Sequence, residues 1–299
     1  SMTITLPTDD RYGQPTSLNF SALKKFVKYD SFGTPTYNIY GYLNAPPFNV
    51  TDAVLIGRIV DEVLTENLDL DSHYKLSTNK TADEYKAELQ DEAKARWLAT
   101  SKWKKDDWAE FRTEIYGDEP EDNREELSTP VYTTCQYVIE SHMNFQYDTN
   151  RTIFQFWSEC ETQKVVEANG RKGKLDFYHP TEKIVGDLKC VVSLDNYLKD
   201  FSYRGNYNIH HDHIRQIAWY DNLCGGGNDW ELYVTDHAWN HIIIRIPNLI
   251  LRRAQALNDR DVARLKATLE SGKLWTTFGI NEDTNTVPVS DPNDPFETI

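Results

Sequence analysis

Three residues at strand spacing carry the strongest chemical signal in the chain. Asp176 closes the segment Gly173-Lys-Leu-Asp176, ten residues intervene, and Asp187-Leu-Lys189 follows. Residues at i and i+2 of a strand share a face, so Asp187 and Lys189 point the same way. A turn over His179–Lys183 would make the two pieces an antiparallel pair and bring Asp176 close to Asp187. Two carboxylates and an ammonium then converge at one end of a sheet. Two hard oxygen donors suit Mg²⁺ or Mn²⁺, which bind few carboxylates and keep waters for a phosphate group. A lysine beside them can orient or deprotonate an attacking water and steady charge on the phosphate.

A D-x-K triplet alone recurs by chance, and two further spacings strengthen it. Gln216, 27 residues after Lys189, pairs at i, i+4 with Tyr220, so the two share a helix face. Upstream, Gly57 and Asp61 stand at the same spacing on a second helix. Basic residues border these motifs: Arg171, Lys172 and Lys174 before Asp176, and Arg204 and Arg215 near Gln216. They read as a phosphate-binding rim or as surface charges flanking a hairpin.

The elements that must position these residues follow from periodicity. A short helix around Leu18–Val27, with Ser21 as its cap, opens the chain, and Asp52 caps a helix to Leu64. A long polar helix is expected over Asp83–Phe111, then an acidic loop, then a helix over Thr129–His142. Alternating aromatics over Ile153–Glu161 read as a strand that continues through Ala168 to the hairpin dipeptide Asn169-Gly170. Strands Gly173–Tyr178 and Ile184–Val192, a helix Asp212–Leu223, strands Trp230–Val234 and His241–Ile246, and a helix Leu249–Ser271 complete the pattern. This order predicts an α/β (α+β) fold with a central mixed β-sheet flanked by helices. Residues 1–280 read as a single domain with an N-terminal arm and a helical insertion over about 80–127, and residues 281–299 as an acidic tail.

The four motifs in this order resemble the PD-(D/E)XK nuclease superfamily, in its RecB/RecE-like exonuclease branch. That family's pattern is a helix with G-x-x-x-H, a strand with G-x-x-D, a strand with D-x-K and a helix with Q-x-x-x-Y. Here these positions read Gly57…Asp61, Gly173…Asp176, Asp187…Lys189 and Gln216…Tyr220. The resemblance covers residues 55 to 222 or so, and the Ser17–Val27 opening is also similar to RecE-type N-termini. It implies a restriction-endonuclease-like core and a Mg²⁺- or Mn²⁺-dependent DNA exonuclease of the phage or recombination type. It further implies metal ligation by Asp176, Asp187 and the backbone carbonyl of Leu188, Lys189 as the catalytic lysine, and Gln216 and Tyr220 contacting DNA or bracing the site. The family's first-motif histidine is Asp61 here, and either Asp61 or Glu62 would face the metal. DNA is the implied partner, with a homo-oligomer and a single-strand annealing protein as further associations.

Composition bounds the alternatives. The 299 residues carry 32 Lys plus Arg against 47 Asp plus Glu, a formal charge of −15. Such a field argues against nucleic-acid binding through the whole surface, although six of the nine residues Asp118–Glu126 are acidic and five more acids fall between Glu282 and Glu297. The same charge suits a catalytically inactive DNA mimic or a partner of a basic protein, and fold does not separate DNA from RNA or branched substrates. Cys135, Cys160, Cys190 and Cys224 lie far apart with no C-x-x-C pair, so they read as free thiols rather than zinc ligands or disulfides. In His210-His-Asp-His213, adjacent side chains rarely converge on one ion, so a histidine contacting DNA or the surroundings of Asp187 is the better expectation, and Asp212 reads as a helix cap. No apolar run approaches membrane-spanning length, and the first residues lack signal-peptide character. A cytoplasmic protein is expected, in a bacterial host cell if phage-encoded.

Overall fold

Asn169 and Gly170 both take positive φ, 52° and 72°, the backbone a two-residue hairpin turn requires, and the sheet is built outward from that turn. The structure is a computed structural model that describes residues 17–43, 50–77, 82–99, 108–117, 122–203, 205–271 and 287–288. It divides into two compact units, one of residues 1–67 and 137–299, the other of residues 68–136.

The first unit begins with β1 (Leu18–Asn19), α1 (Phe20–Phe26), β2 (Val27–Tyr29), β3 (Pro35–Tyr37), α2 (Ile39–Leu43) and α3 (Asp52–Thr65). The second unit contains α4 (Leu70–His73), β4 (Tyr74–Leu76), α5 (Ala82–Glu88), α6 (Asp91–Ala99), α7 (Trp108–Tyr116) and β5 (Glu125–Leu127). Next comes α8 (Thr129–Asn144), whose residues from Tyr137 onward belong to the first unit. That unit continues with α9 (Ile153–Ser158), β6 (Glu161–Ala168), β7 (Arg171–His179), β8 (Ile184–Val191), α10 (Leu194–Phe201), β9 (Ser202–Tyr203) and β10 (Asn206–Tyr207). It ends with α11 (Asp212–Leu223), β11 (Asp229–Asp236), β12 (His241–Ile246), α12 (Asn248–Ser271) and β13 (Val287–Pro288).

The fold is mixed α/β. A six-stranded sheet runs β1-β7-β8-β11-β12, with β6 along the other flank of β7. β6, β7 and β8 form an antiparallel meander, β8 and β11 are parallel, and β12 returns antiparallel to β11. Helices α11 and α12 pack on each other, α11 on β6 and β7, and α3 on β8. The core between them holds Ile214, Ile217, Trp219, Trp230, Leu232 and Val234, each at most 1% exposed. Each such large apolar side chain contributes about 1.5–3 kcal/mol.

Several local expectations change. The aromatic run Ile153–Ser158 is helical, because Thr152 caps it and Gln155 closes a capping box on the Thr152 backbone. Two cap positions move by one or two residues: Asn19, not Ser21, caps α1, and Thr51, not Asp52, caps α3. The expected long helix over Asp83–Phe111 is broken into α5, α6 and α7, with residues 100–107 outside those described. Leu89, Ala93, Trp97 and Phe111 form a small core within that unit, with Trp97 and Phe111 stacked at 5.9 Å. Of the acidic run, Asp122 and Glu126 flank Lys75 at 3.3 and 3.5 Å, while residues 118–121 lie outside the described set. In the 281–299 stretch only Val287–Pro288 is described, paired with β3. All four cysteines are free thiols. Among the described residues no helix is long and apolar enough to cross a membrane.

Candidate active site

β7 is paired unequally on its two flanks. β6 accompanies it along most of its length, whereas on the other flank β1 pairs only at Arg171–Lys172 and β8 only from Phe177 to His179. Between those contacts Gly173–Asp176 has no ladder partner on that flank among the described residues. The β7–β8 register ends at Phe177↔Gly186, and one step further along it Asp176 meets Asp187. There the Leu188 amide donates to Asp176 Oδ2 at 2.8 Å. A side-chain acceptor thus holds the two strands together where their backbone pairing ends.

On β8, Lys189 Nζ stands 2.5 Å from Asp187 Oδ2. The approach is a charge contact rather than an aligned hydrogen bond, since Oδ2 is buried without a hydrogen-bond partner. From α3, Gly57 faces β8 closely enough that a Cβ there would touch the Cys190 carbonyl at 3.9 Å. One turn later Asp61 meets the charges of Lys189 and Asp187. Its neighbour Glu62 instead lies 3.8 Å from Arg58 on the same helix.

The electrostatics follow from crowding. Burial, then Asp187 and Asp61, push the Asp176 carboxyl well above the usual range. Burial also lifts Asp61 to about 6, Lys189 opposing the rise and Asp187 adding to it. For Lys189, burial alone would weaken proton binding, but Asp187, Asp176 and Asp61 more than offset it and the ammonium is favoured.

The oxygens of Asp61, Asp176 and Asp187 do not all come within 4.8 Å of one another. Their chemistry nonetheless fits a hard divalent cation: oxygen donors throughout, a buried Asp187 oxygen that the Lys189 ammonium approaches, and carboxyls that repel one another. Among the described residues, the metal-capable group that does fall within 4.8 Å is Glu159, His179 and Glu182. There the Glu182 amide donates to His179 Nδ1 at 3.1 Å, which leaves the proton on Nε2, 3.1 Å from Glu159. Arg151 bridges both glutamates at 3.0 and 2.8 Å. Both imidazole nitrogens are committed, and Arg151 also pairs with Asp148 at 2.8 Å, so this cluster is an ion-pair network gathered on one guanidinium.

α11 packs on β6 and β7. Gln216 Nε2 donates to Tyr220 Oη at 2.9 Å, and Tyr220 is buried against Gly173. The expected basic rim is largely redeployed. Arg215 is fully buried, 2.6 Å from Asp261 and 3.0 Å from Asn258, so it holds α11 to α12 instead of facing a ligand. Lys172 is 2% exposed, and its carbonyl accepts from Trp219 Nε1. Arg171 stacks on Trp219 at 5.0 Å and pairs with Asp259 at 2.7 Å. Lys174 remains near the site, where its charge acts on Asp61. Arg204 lies outside the described residues.

The three histidines take different partners, although the His211 and His213 rings stay in edge contact at 5.1 Å. His210 packs on Tyr29 at 5.0 Å, and His211, rather than Asp212, caps α11 by accepting from the His213 amide. His213 turns toward Tyr197, whose hydroxyl is 2.9 Å from Nδ1. Sequence reasoning missed the pairing of Tyr197 with His213. The available signal was position: His213 precedes Gln216 by three residues and shares its helix face.

No family model and no curated protein matches the chain. Among solved structures it is similar in fold to the crystal structure of a candidate exonuclease from Eubacterium rectale, with a TM-score of 0.54 at 15% identity. The alignment covers 91% of this chain and 88% of that one.

Proposed function

We propose that the protein is a divalent-cation-dependent nuclease that hydrolyses phosphodiester bonds in DNA, acting as an exonuclease. The observation that carries this reading is the convergence of Asp176, Asp187 and Lys189 at the splayed β7–β8 pair, with Asp61 brought in from α3. The fold likeness to a candidate exonuclease agrees with it. Asp187, Asp176 and Asp61 would hold Mg²⁺ or Mn²⁺, with the Leu188 carbonyl as a further donor. The ion would supply Lewis-acid polarisation of the phosphate and a more acidic bound water.

The protein's own groups do the remainder. Lys189 holds the attacking water and offsets charge on the phosphate. Water attacks phosphorus in line, the P–O bond opposite breaks, and the proton the water sheds is passed through solvent to the leaving oxygen. Lys174 offers positive charge to the strand, while Gln216 and Tyr220 brace the wall opposite Gly173.

The test is cleavage of end-labelled linear duplex DNA, beside a closed circle of the same sequence, with Mg²⁺, with Mn²⁺ and with chelator. Metal-dependent shortening of the linear DNA with the circle intact is expected. Cutting of the circle would make the enzyme an endonuclease. Failure to cut or bind either DNA would favour the acidic interaction-protein reading.

A further inference from the structure

The Tyr197–His213 pair belongs to no motif used above, yet it stands among the charges of the same site. Tyr197 lies on α10, directly after β8, and its hydroxyl is within electrostatic reach of Asp187. His213 lies in the first turn of α11 and is a charge neighbour of Lys189. Two helices, α10 and α11, thus bring the pair within electrostatic reach of Asp187 and Lys189.

The proton on the imidazole can be placed. Among the described residues, the Tyr197 hydroxyl has one polar partner, His213 Nδ1 at 2.9 Å. A buried hydroxyl gives its proton to its available acceptor, so Nδ1 is the acceptor and Nε2 carries the hydrogen. Among the described residues Nε2 has no hydrogen-bond partner, and it is not among the side-chain atoms sealed from solvent. Burial and the neighbouring Lys189 ammonium keep the ring neutral. A neutral N–H held in a fixed tautomer suits an anionic oxygen without adding a second cation beside Lys189.

We infer that His213, held by Tyr197, is a substrate-contacting residue of this site, its Nε2–H donating to a non-bridging oxygen of the scissile phosphate. The inference rests on the nuclease reading above. It adds a donor on α11 to the carboxylates and lysine on the sheet, and it assigns Tyr197 a positioning role, that of fixing the tautomer.

The experiment compares the parent with His213→Phe, His213→Gln and Tyr197→Phe on an oligonucleotide carrying either an ordinary or a phosphorothioate scissile linkage. Reactions run in Mn²⁺, which tolerates sulfur, so the remaining sulfur effect reports lost hydrogen bonding. His213→Phe should cleave the ordinary linkage about a hundredfold more slowly, bind Mn²⁺ like the parent, and lose the sulfur effect. His213→Gln, which keeps an N–H, should recover part of the rate, and Tyr197→Phe should fall between. Parental cleavage by His213→Phe, or a slowed variant with the sulfur effect intact, overturns the inference and leaves the nuclease reading standing. A parent that neither cleaves the oligonucleotide nor binds it in Ca²⁺, read by fluorescence anisotropy, overturns both.

Discussion

Tyr220 occupies the space a side chain at Gly173 would need: a Cβ on Gly173 would stand 2.6 Å from Tyr220 Cε1 and 2.7 Å from Cδ1. The glycine is required by close approach rather than by backbone conformation. Its missing side chain lets α11 lay the Tyr220 ring against β7 three residues before Asp176, with Gln216 holding the hydroxyl. The second and fourth sequence motifs are therefore two halves of one contact.

Gly173→Ala should lower stability by about 1–3 kcal/mol, the scale of overpacking in a filled core, because the ring must move. Urea unfolding measures the loss. Gly173→Ala combined with Tyr220→Leu should recover part of it, since the smaller side chain vacates the space. A single variant as stable as the parent would show that the ring does not hold this position.

Arg215 gives a prediction that separates a buried strut from a DNA contact. Its guanidinium and the Asp261 carboxylate are both fully buried, and Asp261 also accepts from Tyr29 and Tyr37. Removing Arg215 leaves the buried Asp261 carboxylate with only the more distant Arg260 cation, at 3.7 Å, so Arg215→Ala should cost about 3–5 kcal/mol. A variant with parental melting behaviour and weakened DNA binding would return Arg215 to the ligand-facing rim.

These cases mark what was legible in the sequence. The Asn169-Gly170 hairpin, the Asp187/Lys189 face and the Gln216/Tyr220 spacing depend on local period and turn chemistry, and the structure follows them. The aromatic helix Ile153–Ser158 was misread because Ile, Phe and Trp favour strands, while the decisive Thr152–Gln155 capping box weighed less. Arg171 and Arg215 looked like surface charge because what holds them lies elsewhere in the chain, at Asp259 and Trp219 for the first and at Asp261 for the second. Pairings of that range leave no local trace.

Asp187 and Lys189 share a contact but should fail differently. Asp187→Ala removes a proposed ligand and should abolish both Mn²⁺ binding, measured by calorimetry, and cleavage. Lys189→Met removes the ammonium that competes for the same carboxylate, so it should bind Mn²⁺ at least as well as the parent. Its cleavage should fall about a hundredfold or more, the scale of a positioned acid–base group. Parental cleavage by Lys189→Met would remove the lysine from the mechanism.

Metal affinity should depend on pH through Asp61. Its carboxyl, lifted to about 6 by burial with Asp187 adding to the rise, is partly protonated at mildly acidic pH. A cation binds the ionised form, so protons and metal compete for the site. As pH falls through about 6, Asp61 gains a proton that binding must expel, and Mn²⁺ affinity should drop by up to about tenfold per pH unit for each proton displaced. Asp176, also pushed upward, adds to the slope in the same direction. Calorimetric titrations in buffers of different ionisation enthalpy count the protons released. Asp61→Asn should bind Mn²⁺ more weakly at neutral pH and lose the inflection near pH 6. An affinity that stays flat across that range in the parent, with no proton release, would place Asp61 outside the metal site.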